Sequence, residues 1–252
     1  MISKNQIKLI RQLEQKKFRR REGLFVAEGP KVVGDLMKRW QPHSVFATDD
    51  YAAPLPDVEV QRITADELHR ISFLQHPQQV VALFPLPAAQ LSPQDATLQG
   101  VADGTSLVLA LDGVQDPGNL GTIIRLADWF GIGTILCSDD TADAWNPKVV
   151  QATMGSIARV DIVYCQLPAL LDRLPADVPV YGTLLDGDNI YAQPLTAGGI
   201  IIMGNEGNGL SAEVRRRVNR RLLIPSFNTG DTAESLNVAI ATAIICSEFR
   251  RR

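Results

Sequence analysis

The chain of 252 residues is poor in cysteine, histidine and aromatic side chains. Its three cysteines, Cys137, Cys165 and Cys246, stand far apart with no CxxC pair. That excludes a disulfide framework and a cysteine-based zinc site. The three histidines, His43, His69 and His76, share no metal-ligand spacing. No GxSxG elbow is present, and no Cys or Ser has a nearby His to serve as its base, so nucleophilic catalysis has no visible machinery. The longest mainly apolar run, Val238 to Cys246, has nine residues with Thr242 inside it. A bilayer span needs roughly 18. The first 20 residues are too polar for a signal peptide. Glycine (19) and proline (15) are at ordinary levels, which excludes collagen-like and low-complexity classes. These absences point to a protein of the reducing cytoplasm, with neither membrane nor metal as partner.

What is present is a chain with 45% hydrophobic residues, enough to bury a core, and a length suited to one large or two small domains. The net charge of −3 hides an asymmetry: residues 1–22 carry +6, and the remainder −9. Further basic clusters lie at Arg215, Arg216, Arg217, Arg220 and Arg221, and at Arg250 to Arg252. Such clusters on a mildly acidic protein read either as solvated helix faces or as the footprint of a phosphate backbone. The N-terminal segment and Arg215 to Arg221 are the candidate phosphate contacts under the second reading.

Hydrophobic periodicity predicts an α/β pattern over the first 85 residues. A helix is expected over 3–18, a short strand closed by glycine over 23–29, a helix over 31–40, and strands near 44–47, 59–63 and 79–84. Thr64, with Glu67 three residues on, signals a capped helix to Ile71. The stretch 85–105, with three prolines, two glycines and small polar residues, changes character; a linker is expected at 91–105, which divides the chain into domains at 1–90 and 106–252. From Ser106 the alternation strengthens, with all-apolar runs at 106–111 and 199–203. Strands alternating with helices imply a parallel sheet covered on both faces, with ligands at the carboxyl ends of its strands.

Three junctions there are rich in Gly, Asn and acids. The first, Asp112 to Gly121, leads through Pro117, a fitting helix start, to a helix carrying Arg125. The second, Met203 to Ser211, has GxxGxG spacing, neither the dinucleotide GxGxxG nor a P-loop with its Lys. Its glycines allow a ligand close to the backbone, and Ser211 suits a helix cap. The third, Ile224 to Asn237, ends a strand at Pro225 and offers Ser235 as the cap of a final helix, leaving Asn237 in the first helical turn. Each junction alone reads equally as an ordinary turn and cap.

Together, DPGNLGTIIRLADWFG, IIMGNEGNGLS and IPSFNTGDTAESLNVAIATAII, in that order, resemble the three signature motifs of the SpoU branch of SPOUT RNA methyltransferases. Asn146 to Ser156 resembles the family's stretch between the first two motifs, and FRRREGLFVAEGPKVV resembles its N-terminal substrate-binding domain, of ribosomal-protein-like α/β fold. The resemblance spans nearly the whole chain. It implies an α/β C-terminal parallel-sheet domain with a deep trefoil knot, a smaller N-terminal α/β domain, and a homodimer paired through the C-terminal domain. It implies methylation of a ribose 2′-hydroxyl in structured RNA, rRNA before tRNA, with S-adenosylmethionine as donor. The other reading is a non-catalytic RNA-binding or ribosome-assembly factor that retains the fold. Carried over by position, cofactor contacts fall on Gly204, Ile224 and Leu236, with Thr183 and Met203, and catalytic residues on Asn119, Arg125, Glu206, Ser235 and Asn237. The third motif departs from the family: Ser226 replaces Met, and the loop from Phe227 to Glu234 is longer by about three residues.

Overall fold

The structure, a computed structural model, describes residues 1–53, 58–88, 95–228, 230 and 233–251. Contacts divide the chain into two compact units. One comprises Met1–Ala88 with Asp143–Arg159, the other Ala89–Ala142 with Val160–Arg252. Residues 143–159, expected within the C-terminal domain, thus pack with the N-terminal residues. Part of the expected linker, 91–94, lies outside the described residues, and α5 (Asp95–Ala102) follows it directly.

In the first unit, the segment expected as one helix is two, α1 (Lys4–Gln12) and α2 (Lys16–Glu22). The break has a specific cause. Arg19, only 1% exposed, donates through Nη1 to the carbonyls of Leu13 (2.8 Å) and Glu14 (2.6 Å), which the helix leaves unpaired at its end, and pairs through Nη2 with Asp143. Arg19 is therefore a structural residue and leaves the set of candidate phosphate contacts. The sheet runs β1 (Leu24–Glu28), β4 (Val80–Pro85), β2 (Ser44–Ala47), β3 (Val60–Arg62), with only the last pair parallel. Helix α3 (Pro30–Met37) follows β1, and α4 (Ala65–Ile71) opens on the capping box between Thr64 and Glu67. The inserted segment forms α7 (Pro147–Ala152) and sets Trp145 against Phe25 and Trp40, with ring centroids 4.8 and 6.0 Å away.

The second unit holds six parallel strands in the order β10 (Arg220–Leu223), β8 (Val180–Asn189), β9 (Gly199–Gly204), β5 (Leu107–Asp112), β6 (Thr134–Cys137), β7 (Asp161–Tyr164). Both faces are covered, so the central strands β5 and β9 are buried throughout, as their unbroken apolar runs require. Ile200 and Ile202 pack with Val108, Ala110, Leu170 and Val214. Helix α6 (Pro117–Trp129) and the final helix α10 (Val238–Arg251) pack together, and α10 also meets β9. Tyr181 on β8 holds α10 by an edge-to-face contact with Phe249, centroids 4.9 Å apart. The chain builds β5, β6 and β7 outward in one direction. It then crosses to place β9, β8 and β10 on the other side of β5, so the strand order reverses between β5 and β9. In open parallel sheets that reversal opens a crevice at the carboxyl ends of the two strands.

Candidate active site

The turns after β5 and β9 flank that crevice, and they are tied to each other. Asp112, buried at the end of β5, accepts the Ser211 N–H (2.6 Å). Asn205, just beyond β9, donates to the Gly113 carbonyl (2.7 Å) and accepts the N–H groups of Gly207 and Asn208, each at 3.0 Å. Gly204 must be glycine for space: a Cβ there would meet the backbone of Gly209 and stand 2.6 Å from the Leu210 nitrogen. Ser211 caps α9 (Ala212–Arg215) through the Val214 N–H. Asp116 caps α6 by accepting the Asn119 N–H at 2.8 Å, with Pro117 in the first helical position.

Three of the five residues singled out as catalytic form one hydrogen-bonded chain. Asn237 donates from Nδ2 to Asn119 Oδ1 (2.9 Å), and Asn119 donates from its own Nδ2 to Glu206 Oε1 (2.9 Å). Glu206 also receives the backbone N–H groups of Asp116 and Gln115, each at 3.3 Å. Burial pushes the Glu206 carboxyl up, but the hydrogen bonds from Asn119 and the backbone N–H groups outweigh it and hold the carboxyl below its ordinary value. The turn after β5, the turn after β9 and the start of α10 therefore meet at side chains 118 and 87 residues apart in sequence.

Asn237 has a second task, which the sequence reading assigned to Ser235. Helix α10 begins at Val238, and Asn237 Oδ1 accepts the N–H groups of Ala239 (2.9 Å) and Ile240 (3.3 Å). Asn237 is thus the N-cap, and one amide serves both helix and junction. Ser235 is exposed two residues earlier and outside the hydrogen-bonded chain. Arg125 is also outside it. It lies exposed on α6, with Thr122 and Trp129 on the same face, and has no partner among the described residues.

The positions expected to hold a cofactor lie on β8, at the end of β9, directly after β10 and before α10. Thr183, on β8, donates to the Ile202 carbonyl (3.1 Å). Met203 and Gly204 end β9 and are buried, and Ile224 directly follows β10. Leu236, just before the α10 cap, is half exposed, and neither its N–H nor its carbonyl has a partner among the described residues. In the long third turn, residues 229, 231 and 232 lie outside the described residues; Phe227 is exposed.

Other chemistries find little support among the described residues. No three His, Cys, Asp or Glu side chains converge as metal ligands. All three cysteines are buried, and burial pushes the Cys165 thiol up to about 11, the Cys246 thiol up to about 12, and Cys137 up as well. None is poised as a thiolate. No helix is long and apolar enough to cross a membrane. Several arginines of the second basic cluster are engaged: Arg217 grips Asp172 with two 2.7 Å bonds, and Arg215 and Arg221 both pair with Asp186. Arg216 remains exposed.

Comparison with known proteins agrees with this geometry. Residues 106–247 match the SpoU rRNA Methylase family, and residues 4–82 match the MRM3-like substrate binding domain. The chain is 32% identical over 257 residues to the 23S rRNA (guanosine(2553)-2′-O)-methyltransferase RlmP of Bacillus subtilis, covering 98% of this chain and 97% of that protein. A TrmH-family protein from Porphyromonas gingivalis superposes with a TM-score of 0.86 at 43% identity, covering 100% of this chain and 99% of that one. An AdoMet-bound rRNA methyltransferase from Sinorhizobium meliloti superposes at 0.81 with 31% identity, over 100% of this chain and 97% of that one.

Proposed function

The chain belongs to the SpoU rRNA Methylase family, and on that premise we propose that it methylates a ribose 2′-hydroxyl in ribosomal RNA with S-adenosylmethionine as donor, in the cytoplasm. The observation that carries this reading is the Asn237–Asn119–Glu206 junction at the mouth of the crevice between β5 and β9. When bound, the donor supplies a methyl group already activated by its sulfonium.

The residues fit such a group. Its adenosine needs main-chain donors and acceptors beside apolar surface, and the N–H and carbonyl of Leu236, without a partner among the described residues, next to its half-exposed side chain offer both. Gly204, Met203, Ile224 and Thr183 would complete the holding surface, and the same turn geometry would follow if the chain is threaded into a trefoil knot. The protein's remaining work is alignment, which contributes about 7–11 kcal/mol in well-oriented reactions. Asn119, Glu206 and Asn237 hold the start of α6 against the other two turns, which fixes the helix that carries Arg125. A guanidinium keeps its charge in proteins and grips phosphate with a planar fork. Arg125 therefore positions the target nucleotide and stabilises negative charge on the ribose oxygen as the oxygen takes the methyl from the sulfonium and gives its proton to solvent water. Ser235, exposed beside the junction, is placed to orient the nucleotide.

Pairing of two copies through α6 and α10 belongs to the same proposal. Trp129, 84% exposed on the Arg125 face of α6, and Ile240, 54% exposed on α10, support it, as large apolar side chains left uncovered on two helices that pack together. The exposed Lys4, Lys8, Lys17, Arg20 and Arg216 are the RNA contacts that remain once the arginines held by ion pairs, Arg21 with Glu22 among them, are set aside. Purified protein with labelled S-adenosylmethionine and bulk rRNA tests the reading. Transfer is expected with the native chain and lost in Arg125→Ala, with RNA affinity falling steeply as salt rises. Undiminished transfer by Arg125→Ala would overturn the assignment.

A further inference from the structure

The N-terminal unit holds a cleft of about 610 Å³ at the ends of β2 and β3, walled by the start of α3, the start of α4 and the turn before β4. Its floor is apolar: Pro30, Ile63 and Leu68 line it. Its rim is rigid. Arg62 donates to the carbonyls of Thr48 (2.7 Å) and Tyr51 (2.9 Å), Tyr51 closes a turn by donating its N–H to Thr48 (3.1 Å), and Thr48 donates its N–H to the Gln79 carbonyl (2.9 Å). On the facing side, Asp50 accepts from Gln79 Nε2 (2.8 Å), which holds Gln79 at a φ of +41°. Residues other than glycine adopt that conformation only when their surroundings impose it, and such strain gathers at ligand clamps.

One group on this rim is unspent. Asp49 lies in the middle of the fixed turn, lines the cleft, is exposed, and makes no hydrogen bond or ion pair among the described residues. The chemistry selects the occupant. Two carboxylates at the mouth repel a phosphate, whereas an apolar floor suits a flat ring and a free carboxylate accepts adjacent N–H donors. A guanine base presents such a pair on its Watson–Crick edge, N1–H beside the 2-amino group, and a carboxylate can accept both. Uracil offers one donor there, and adenine and cytosine one amino group each. RNA is read by splaying such bases out of single strands and loops into protein pockets.

We propose that this cleft receives one unstacked guanine of the RNA, with Asp49 accepting from its Watson–Crick edge, so that the N-terminal unit reads sequence as well as backbone. The inference rests on the chain acting on RNA. All the lining residues lie within the stretch that matches the substrate-binding domain.

The test uses the full chain and fluorescein-labelled oligouridylates of ten nucleotides carrying one central G, A, C or U, titrated by anisotropy at fixed salt. The G-centred probe is expected to bind about tenfold more tightly than the other three, in keeping with the discrimination of a two-bond base contact. Asp49→Asn is expected to erase that preference and leave affinity for the other probes unchanged. A 6-thioguanosine at the central position should cross-link to residues 48–50 or 77–79 of the native chain. Equal affinities for the four probes, a preference that survives in Asp49→Asn, or cross-links confined elsewhere would each overturn the proposal. Calorimetry with S-adenosylmethionine reports separately on the function proposed above, and cofactor binding should be unchanged in Asp49→Asn.

Discussion

Substitutions at Asn237 separate two tasks that one amide performs. Its Oδ1 caps α10, and its Nδ2 reaches Asn119. Alanine loses both. A lost cap costs about 1 kcal/mol, and an exposed side-chain hydrogen bond adds about 0.5–1. For a unit of this size, that total lowers the melting temperature by roughly 4–8 °C. Serine keeps the cap, because its hydroxyl can accept the same N–H groups, but it cannot reach Asn119, so its melting temperature falls by less than half as much. Methyl transfer discriminates differently. Both variants release Asn119 and with it the fixed start of α6, and a misplacement of about 1 Å at a reacting centre costs on the order of 10²-fold. Melting followed by circular dichroism and transfer from labelled S-adenosylmethionine to rRNA read the two tasks independently. An alanine variant that melts with the native protein, or a serine variant that transfers at the native rate, would refute the reasoning.

Further predictions concern the same turns and the core of the N-terminal unit. Because the folded Glu206 carboxyl titrates below its ordinary value, the bonds it accepts contribute fully above about pH 4.3 and are lost as pH falls through the lowered value. The contribution of Glu206 to stability in urea titrations should therefore be constant from pH 8 to 5 and fall only in more acidic solution, with a smaller fall in Glu206→Gln; equal falls in the two proteins would contradict this. Gly204→Ala forces the backbone at Gly209 and Leu210 to shift, at a cost of about 1–3 kcal/mol, and should weaken cofactor binding while leaving the fold intact by circular dichroism. Arg19→Ala removes the partner of Asp143 and of two helix-end carbonyls, and should destabilise the N-terminal unit by about 3–5 kcal/mol in urea titrations followed by Trp40 and Trp145 fluorescence; a change under 1 kcal/mol would refute the structural role of Arg19.

How much of this was legible in the sequence depends on whether the cause is local. The Thr64–Glu67 box, the Pro117 helix start, the Ser211 cap and the all-apolar central strands are written in adjacent residues, and they appear as expected. The six parallel strands follow from the alternation, although β8 runs on to Asn189, five residues beyond its apolar core. What adjacent residues do not carry is non-local. Arg19 looks like any residue of a basic helix until Asp143, 124 positions away, buries it. Residues 143–159 have the same helix-and-strand character as their neighbours, and non-local ties such as the packing of Trp145 on Phe25 and the bond from Arg39 to the Ala158 carbonyl (3.0 Å) assign them to the other unit. Ser235 and Asn237 are equally good caps by composition, and the choice is made by Asn119, which rewards only the amide. For the candidate site, the motif resemblance named residues, but the link from Asn237 through Asn119 to Glu206 could be seen only with the three turns in place.

The most direct test of ribose methylation at this junction is the chemical position of the transferred methyl. After reaction with labelled S-adenosylmethionine and rRNA, alkaline hydrolysis should leave the label in resistant dinucleotides, because a methylated 2′-oxygen cannot attack the adjacent phosphate. The Arg125→Ala protein should leave none. Label recovered in mononucleotides bearing a methylated base, or an equal yield of resistant dinucleotides from Arg125→Ala, would contradict the assignment.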